Sequence, residues 1–493
     1  MIKSTGNRIG RWVAAVLASA VAATVGADTL YPIYTVTSTT GGGVATNDLE
    51  SSLVQIVDSE GATPREVAYA DIDKSAGNFS GTFVFDADSY LMGSETMVNF
   101  TGEIYIRRGV LIVDAAGWLG VTNRTDAPKL YVESGASLMP TSPVVRGGKI
   151  FNEMHLAGSG YNGIGAICCC YRAAHNDYCF YNPIYLEADT TIGMGTNQRV
   201  DTYGSSANIY LQDHNLIIKD VRVPRPNDLP VFCTGSSAIV PGMGHVEVDH
   251  INLHVQSTSS GWGGDKSNML TMRNGSQLGN YGTKVPIKWT MVIEEGETIN
   301  IADGSRETES FYRPFPVTNI NYYSGPIRLD GKLTMSRNWP PTFMRGVSLY
   351  GDISGKGTID SPNGWLQLMG SNTYEGATCV RNGDAAYGGL ALWREEAAST
   401  QSAGYYLTNA PLCLVSRAWK TGGDNIFDLP PVTFHVDSFT NLEVGANTCE
   451  SNVVDIAASG GMNARMASLK KTGGGGLALL ANFAITGRTE SAG

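Results

Sequence analysis

The segment "HVEVDHINLH", residues 245 to 254, is the densest collection of metal-ligand and acid–base side chains in the chain. Imidazole nitrogens and carboxylate oxygens are the groups that zinc and other transition metals bind. In an extended strand these polar side chains lie on two alternating sets of positions: His245, Glu247 and Asp249, then His250, Asn252 and His254. The intervening apolar residues supply a buried alternation, which predicts that the polar set is solvent-facing: Val246, Val248, Ile251, Leu253 and Val255.

The same segment resembles the Ile-Asp-His stretch of pectate lyases, which are β-helical enzymes. The tryptophan that precedes this stretch in that family is missing, and no second part of the lyase site is recognisable. We therefore assign no catalytic, cofactor-binding or metal-ligating residue to it.

A second cluster, "CCCYRAAHNDYC", contains Cys168, Cys169, Cys170, His175 and Cys179. Such a set can hold zinc. In an oxidising compartment a loop disulfide from Cys170 to Cys179, or an unpaired mixture of thiols, is favoured instead.

The residues around this cluster, 156 to 183, interrupt the strand pattern and predict a protruding loop. Aromatic side chains are concentrated there, and loops of this kind are where a rod-shaped protein presents binding surfaces: Tyr161, Tyr171, Tyr178, Phe180 and Tyr181.

Two carboxylate pairs have spacing compatible with glycoside hydrolysis, which needs two acids about 5 to 10 Å apart. Asp86 and Asp88 share one side of a strand, and Asp330 and Asp352 could meet across stacked strands. Such pairs occur on many β-rods. The Gly-Asp-Asp and Gly-His-Gly signatures of polygalacturonases, a Gly-x-Ser-x-Gly elbow and a phosphate-binding Gly-x-x-x-x-Gly-Lys-Ser/Thr loop are absent. No catalytic centre is assigned.

The elements that would position any site follow a recurring unit, in which an apolar residue, any residue and a second apolar residue precede a polar turn. The copies are "IYIRRG" from Ile104, "LYVESG" from Leu130, "IYLEAD" from Ile184, "IYLQDH" from Ile209, and the looser "MVIEEG" from Met291 and "IRLDGK" from Ile327. The earlier copies recur near multiples of about 26 residues, which predicts a solenoid of stacked strands. A set of β-sandwich domains is the alternative.

Composition excludes several classes of protein. Charged residues make up 16% of the chain and its net charge is −11, and no run of Lys and Arg is present for binding nucleic acid. Glycine is abundant, with 59 of 493 residues, as expected for short strands joined by turns.

The amino terminus predicts export. Lys3, Arg8 and Arg11 precede the apolar run 12–25, and small residues up to Ala27 give a cleavage site. The apolar run is shorter than a membrane span requires. Residues 1–27 are thus a predicted signal peptide, and no membrane span is expected in the mature chain.

Residues 324–383 resemble the passenger-associated repeat of bacterial autotransporters. "LQLMGSNTYEGATCVRNG", residues 366–383, matches Leu-x-Leu-x-Gly-x-Asn-x-Tyr-x-Gly-x-Thr-x-Val-x-x-Gly at every named position. A partial copy occupies 469–493 and departs at Ala481, Phe483, Ile485 and Ser491. The resemblance implies an all-β, right-handed parallel β-helix that is exported, and it says little about activity. The translocating β-barrel of that family is not present here, so the chain is read as a fragment or as exported by other machinery.

The predicted organisation is a signal peptide (1–27), an amino-terminal cap (28–100), β-helix coils with a loop insertion at 156–183 (101–350), and a β-helix segment carrying the two repeats, ending part-way through the second (351–493). The predicted function is a structural or adhesive rod, secreted or attached at the cell surface and outer membrane. Its expected partners are host or matrix glycans or surface proteins. A polysaccharide lyase or glycoside hydrolase on the same fold is the alternative, and self-association through the rod ends is a third.

Overall fold

The computed structural model describes residues 29–408 with internal gaps, the longest at 304–320, and the backbone of strands up to residue 492. The predicted signal peptide lies outside these residues. The described residues form β-strands and three short 3₁₀-helices at Tyr69–Asp71, Tyr161–Gly163 and Glu395–Ala397, with no α-helix among them.

The strands are short, as expected for segments interrupted every few residues by glycine and polar turns. In chain order they are β1 (Ile33–Thr37), β2 (Asn47–Asp48), β3 (Leu53–Val57), β4 (Arg65–Ala68), β5 (Thr82–Met92), β6 (Glu103–Val113), β7 (Leu130–Val132), β8 (Ala136–Pro140), β9 (Gly148–Ile150), β10 (Met154–Gly158), β11 (Ile167–Cys169), β12 (Asp177–Phe180), β13 (Ile184–Met194), β14 (Arg199–Thr202), β15 (Ile209–Tyr210), β16 (Leu216–Asp220), β17 (Val231–Thr234), β18 (Ile239–Val240), β19 (Val246–Asp249), β20 (Asn252–Gln256), β21 (Met269–Arg273) and β22 (Gln277–Tyr281).

They continue with β23 (Thr290–Ile293), β24 (Thr298–Asp303), β25 (Asn321–Tyr323), β26 (Ile327–Leu329), β27 (Lys332–Arg337), β28 (Gly346–Leu349), β29 (Ile353–Ser354), β30 (Thr358–Ser361), β31 (Trp365–Leu368), β32 (Thr378–Arg381), β33 (Gly389–Leu392), β34 (Tyr405–Thr408), β35 (Leu412–Leu414), β36 (Ile426–Leu429), β37 (Phe434–Ser438), β38 (Asn463–Met466), β39 (Leu469–Thr472), β40 (Asn482–Ile485) and β41 (Thr489–Ala492).

The strands stack into long parallel ladders. Ladder 1 comprises β1, the first halves of β5 and β6, β7, β10, the first half of β13, β15 and β18. Ladder 2 comprises the second halves of β5 and β6, then β8, β11, the second half of β13, β16, β19, β21, β23, β26 and β29.

Ladder 3 is a twelve-stranded sheet from β9 to β37, and ladder 4 comprises β25, β28, β31, β33 and β35. From β7 to β20 the chain visits ladders 1, 2 and 3 in that order and then returns to ladder 1 one strand further along. From β23 to β31 it visits ladders 2, 3 and 4 in that order. We call each circuit of either kind a pass. The chain is therefore all-β and dominated by parallel sheets.

The core is built from inward side chains that stack from strand to strand. Alternation places every second residue of a strand on its inner side. In ladder 1 the strand register aligns one such residue from each strand in a continuous buried column: Tyr34, Phe83, Ile104, Leu130, Met154, Ile184, Ile209 and Ile239. Ladders 2 and 3 supply equivalent columns, and nearly all of these residues belong to one hydrophobic cluster.

The amino-terminal end of the stack is closed by antiparallel pairing. β3 pairs antiparallel with the edge of β1 that faces away from β5, and β4 pairs antiparallel with β3. Tyr34, Phe79, Phe83 and Phe100 pack beneath them with ring centroids 5.0 to 6.5 Å apart; Tyr34 and Phe83 are stacked, and the other pairs are edge-to-face. This arrangement covers a strand edge that would otherwise pair with another chain. Parallel stacking already includes β5, inside the predicted cap of residues 28–100.

The register corrects the predicted repeat. Ile104, Leu130, Ile184 and Ile209 do align in ladder 1, but Met154 fills the apparent double interval between Leu130 and Ile184. The segment "MHLAGS", residues 154–159, is a further copy in which Ala157 replaces the polar fourth residue of the other copies. The later copies at Met291 and Ile327 align with each other in ladder 2, a different ladder.

The loop insertion predicted at 156–183 is wrong where the structure describes it. β10, β11 and β12 form one complete pass, pairing with neighbours in ladders 1, 2 and 3. Tyr178 and Phe180 are buried in the core rather than exposed. Between β10 and β11 the chain turns through Gly160, Gly163 and Gly165, which all have positive φ.

Candidate functional site

A column of aromatic rings runs along the outer side of ladder 1. The side chains next to the buried column point outward, and five consecutive ones are rings: Tyr105, Tyr131, His155, Tyr185 and Tyr210. We call this set the ring column. All except Tyr105 are partly exposed.

The rings lie face to face. Their centroids are 4.4, 4.6, 5.1 and 4.8 Å apart in order along the column, with interplanar angles of 7°, 20°, 18° and 10°. Each aromatic pair stabilises a fold by about 0.5–1.5 kcal/mol beyond its buried area. Because the faces contact each other, the column presents ring edges and hydroxyl groups to solvent.

Carboxylates border the column on both sides. Glu103 accepts hydrogen bonds from the hydroxyls of Tyr105 at 2.9 Å and Tyr131 at 3.4 Å. Glu153 lies 2.9 Å from Lys129 Nζ.

Burial and then the nearby Glu103 raise the pKa of Tyr131 to about 12, and the same causes raise the pKa of Tyr105 further. Both phenols therefore remain hydrogen-bond donors across the physiological pH range.

His155 lies between two carboxylates as well as between two rings. Its Nδ1 is 2.7 Å from Glu187 Oε1, and its Nε2 is 3.1 Å from Glu153 Oε1. A neutral imidazole carries one N–H and can donate to one of them; a protonated ring donates to both. The site is thus a half-buried polar and aromatic strip in which every ring has a fixed orientation.

The ring column had a signal in the sequence. Its tyrosines occupy the second place of the four clearest repeat units, and His155 occupies the second place of the further copy "MHLAGS". The recurrence of tyrosine at the second place of the unit, where any residue is allowed, is the sequence signal for the column.

No protein family, curated protein or solved structure matches this chain. Assignment of a role therefore depends on the geometry of its own side chains.

The prediction for "HVEVDHINLH" is confirmed for its apolar residues, since Val246, Val248, Ile251, Leu253 and Val255 are buried. Its polar residues are only partly solvent-facing. His254 points away from the core but is 7% exposed. Burial, followed by the charge of Arg199, lowers its pKa to about 4.

Glu247 and Asp249 of this segment form ion pairs across passes, whereas His245 Nδ1 accepts the amide of Met269. Asp249 accepts from Arg225 at 2.7 and 2.8 Å, and Arg273 lies 3.4 Å from Glu247. Within the described residues no group of three or more His, Cys, Asp or Glu side chains is arranged to hold a metal ion.

Asp220 is the centre of a buried polar cluster at the end of β16. Its carboxylate accepts from Arg222 Nε and Nη2 at 2.8 Å and contacts His250 Nδ1 at 2.8 Å, and its side chain is fully buried. Burial raises the pKa of the Asp220 carboxyl, but the hydrogen bonds from Arg222 and His250 together outweigh it, so the pKa lies below its usual range.

This cluster predicts a pH-dependent stability. A depressed carboxylate pKa contributes stability that is present above the unfolded pKa of about 3.9 and is lost as pH falls through the folded value. Asp220→Asn should lower the free energy of unfolding by about 2 kcal/mol at pH 7, and the difference from wild type should shrink below about pH 4. Urea unfolding between pH 3 and 7 measures both.

The matched control is Asp228→Asn, because Asp228 contacts the same arginine but is 45% exposed on its side chain. Its effect should be much smaller at every pH. Equal and pH-independent losses for both variants would contradict the proposed role of Asp220.

The cysteine cluster does not form the predicted bond. Cys168 is disulfide-bonded, whereas Cys169 and Cys179 keep their thiols. The predicted Cys170–Cys179 disulfide is therefore wrong. Cys179 lies on the outer side of β12, beside Asp201 of β14. Cys170 and His175 lie outside the described residues.

The carboxylates of the two candidate pairs bind an arginine or backbone amides. Asp86 and Asp88 do share an outward side, and both bind Arg108, with 3.0 Å between Arg108 Nε and Asp86 Oδ1. Asp330 and Asp352 do not meet, because β26 pairs Ile327 with Ile353, so Asp352 precedes the paired segment and Asp330 follows it. The described residues contain no helix of sufficient length and apolar character to span a bilayer.

Proposed function

We propose that this chain is an exported, right-handed parallel β-helix, similar to an autotransporter passenger, that acts as an adhesive rod, and that the ring column is its contact surface. The observation that carries the proposal is the run of five partly buried rings on one outer face, bordered by carboxylates. Tyrosine combines a large apolar surface with a hydroxyl group and loses little conformational entropy on binding, which makes it frequent at recognition surfaces.

The passes support a β-helix. Between β7 and β20 each pass adds one parallel strand to each of ladders 1, 2 and 3. The connection between two parallel strands of one sheet is right-handed in about 98% of cases. Repetition also gives a flat face on which identical positions recur at the strand spacing of about 4.8 Å. Such a face suits a partner that is itself repetitive, such as a glycan chain of the host or matrix.

Removal of rings tests the contact surface. The double variant Tyr131→Ser/Tyr185→Ser should weaken binding to immobilised glycans by about tenfold or more, since each aromatic contact is worth about 1 kcal/mol. A glycan array followed by calorimetry on the full chain measures this. The matched control is Tyr350→Ser, which removes an exposed ring (47% exposed) outside the column.

Circular dichroism must show that the double variant keeps its β content, so that lost binding is not lost folding. Equal binding by wild type and double variant would exclude the ring column as the contact. Release of reducing or unsaturated ends from the glycans, abolished by a chelator, would instead favour the polysaccharide-degrading alternative. One feature favours that alternative. Glu294 and Asp330 directly follow the paired strands β23 and β26 of ladder 2, and they form ion pairs with Arg273 and Arg328.

A further inference from the structure

We infer that the ring column selects glycans that carry positive charge, such as polymers of amino sugars with unsubstituted amines. This inference rests on the proposed function and adds a substrate class to it. Three features of the outer face of ladder 1 carry it: the sign of its charges, the acids left without a basic partner, and the spacing of its positions.

Acids outnumber bases around the ring column. Four glutamates border it, Glu103, Glu133, Glu153 and Glu187, together with two basic side chains, Arg107 and Lys129. Arg107 pairs with Glu133 at 3.2 Å and Lys129 with Glu153 at 2.9 Å. Among the described side chains, Glu103 and Glu187 form no close ion pair with a lysine or arginine, although Lys129 also lies within electrostatic range of Glu103.

These two acids remain accessible to a ligand. Glu187 is 49% exposed on its side chain, and its described contact is the ring of His155. Glu103 accepts hydrogen bonds from two tyrosine hydroxyls, which leaves carboxylate lone pairs for a further donor. Asp189, 66% exposed, extends the acidic strip beyond Glu187. An ammonium group is the donor that such carboxylates bind most strongly.

Spacing favours a sugar polymer over a basic peptide. Positions along the column repeat at about 4.8 Å, the separation of neighbouring strands. An extended peptide places the side chains of one face about 6.6 Å apart. Its charges therefore lose their alignment with the column positions within two residues. A linear glycan has a ring repeat close to the strand spacing, so successive sugars can meet successive tyrosine edges.

The test compares two probes that differ only in charge: oligomers of β-1,4-linked glucosamine and their fully N-acetylated counterparts. Wild-type chain should bind the amine form about tenfold more tightly at low salt, and the preference should shrink as salt is added because exposed charges are screened. In the double variant Glu103→Gln/Glu187→Gln the preference for the amine form over the acetylated form should fall to within about twofold.

Glu375→Gln is the matched control, since it removes an exposed acid between β31 and β32, outside ladder 1, and it should leave the preference intact. Equal binding of both probes, with sensitivity to the tyrosine substitutions, would overturn the charge selection while leaving the contact surface standing. Binding of neither these probes nor any array glycan would overturn both. Tighter binding of a lysine-rich peptide than of the amine oligomer would overturn the spacing argument.

Discussion

Replacing Gly357 by alanine is expected to lower the free energy of unfolding by about 3 kcal/mol, because a methyl group there has no space. A Cβ on Gly357 would lie 2.0 Å from the carbonyl oxygen of Gly331. The obstacle is backbone, which cannot move aside without breaking the parallel pairing of β27 with β30.

The close approach continues along the stack. A Cβ on Gly376 would lie 2.0 Å from the oxygen of Gly357, so Gly331, Gly357 and Gly376 form one column. Gly325, Gly351 and Gly370 form a second, with corresponding distances of 1.8 and 2.1 Å. The repeated Gly-x₅-Gly spacing in three consecutive passes is thus a packing requirement, and alanine at one position should disturb both neighbours.

Urea unfolding and amide hydrogen exchange measure the effect. In Gly357→Ala the Thr358 amide, which donates to Gly331 at 3.0 Å, should lose protection first. Gly275→Ala is the matched control, because Gly275 has φ +73° but nothing within 4 Å of its Cβ position. It should cost about 1 kcal/mol from backbone strain alone. Equal losses for the two variants would show that close packing is not what these glycines provide.

The class of fold was accessible from the sequence because alternation and turn residues act locally. Leu366 and Leu368, two positions apart in the repeat at 366–383, are both fully buried, as strand alternation predicts. Alternation also placed the apolar residues of "HVEVDHINLH" correctly. Such patterns depend on a few neighbouring residues, and stacking then repeats the same solution at every pass.

Features that depend on register could not be read in advance. The ring column requires knowing that Met154 aligns with Leu130 and Ile184, and the passes differ in length, so spacing alone does not give the alignment. The burial of His254 depends on more than its strand pattern, which correctly places it on the outer side of β20. Gly370 also depends on the register, because it lies in close contact with Gly351 of the neighbouring pass.

Asn372 shows the same dependence on neighbouring passes, because its side chain bonds across them rather than within its own turn. Its Oδ1 accepts the amide of Ile353 at 3.0 Å, and its Nδ2 donates to Ala397 O at 2.7 Å. Its own amide donates to Glu396 O at 2.8 Å, and the residue is 6% exposed. One amide side chain therefore satisfies two buried backbone groups that lie on either side of it.

Asn372→Leu should consequently lower the free energy of unfolding by about 3 kcal/mol, since it keeps the volume but leaves two buried backbone groups unpaired, at about 1–3 kcal/mol each. Asn372→Asp should be no better at neutral pH, because a carboxylate accepts from Ile353 but repels Ala397 O. Thr373→Ala, at the exposed neighbouring position, should change stability by less than about 0.5 kcal/mol. A leucine variant as stable as wild type would mean that water or a shifted backbone replaces both bonds, and that this asparagine does not join the passes.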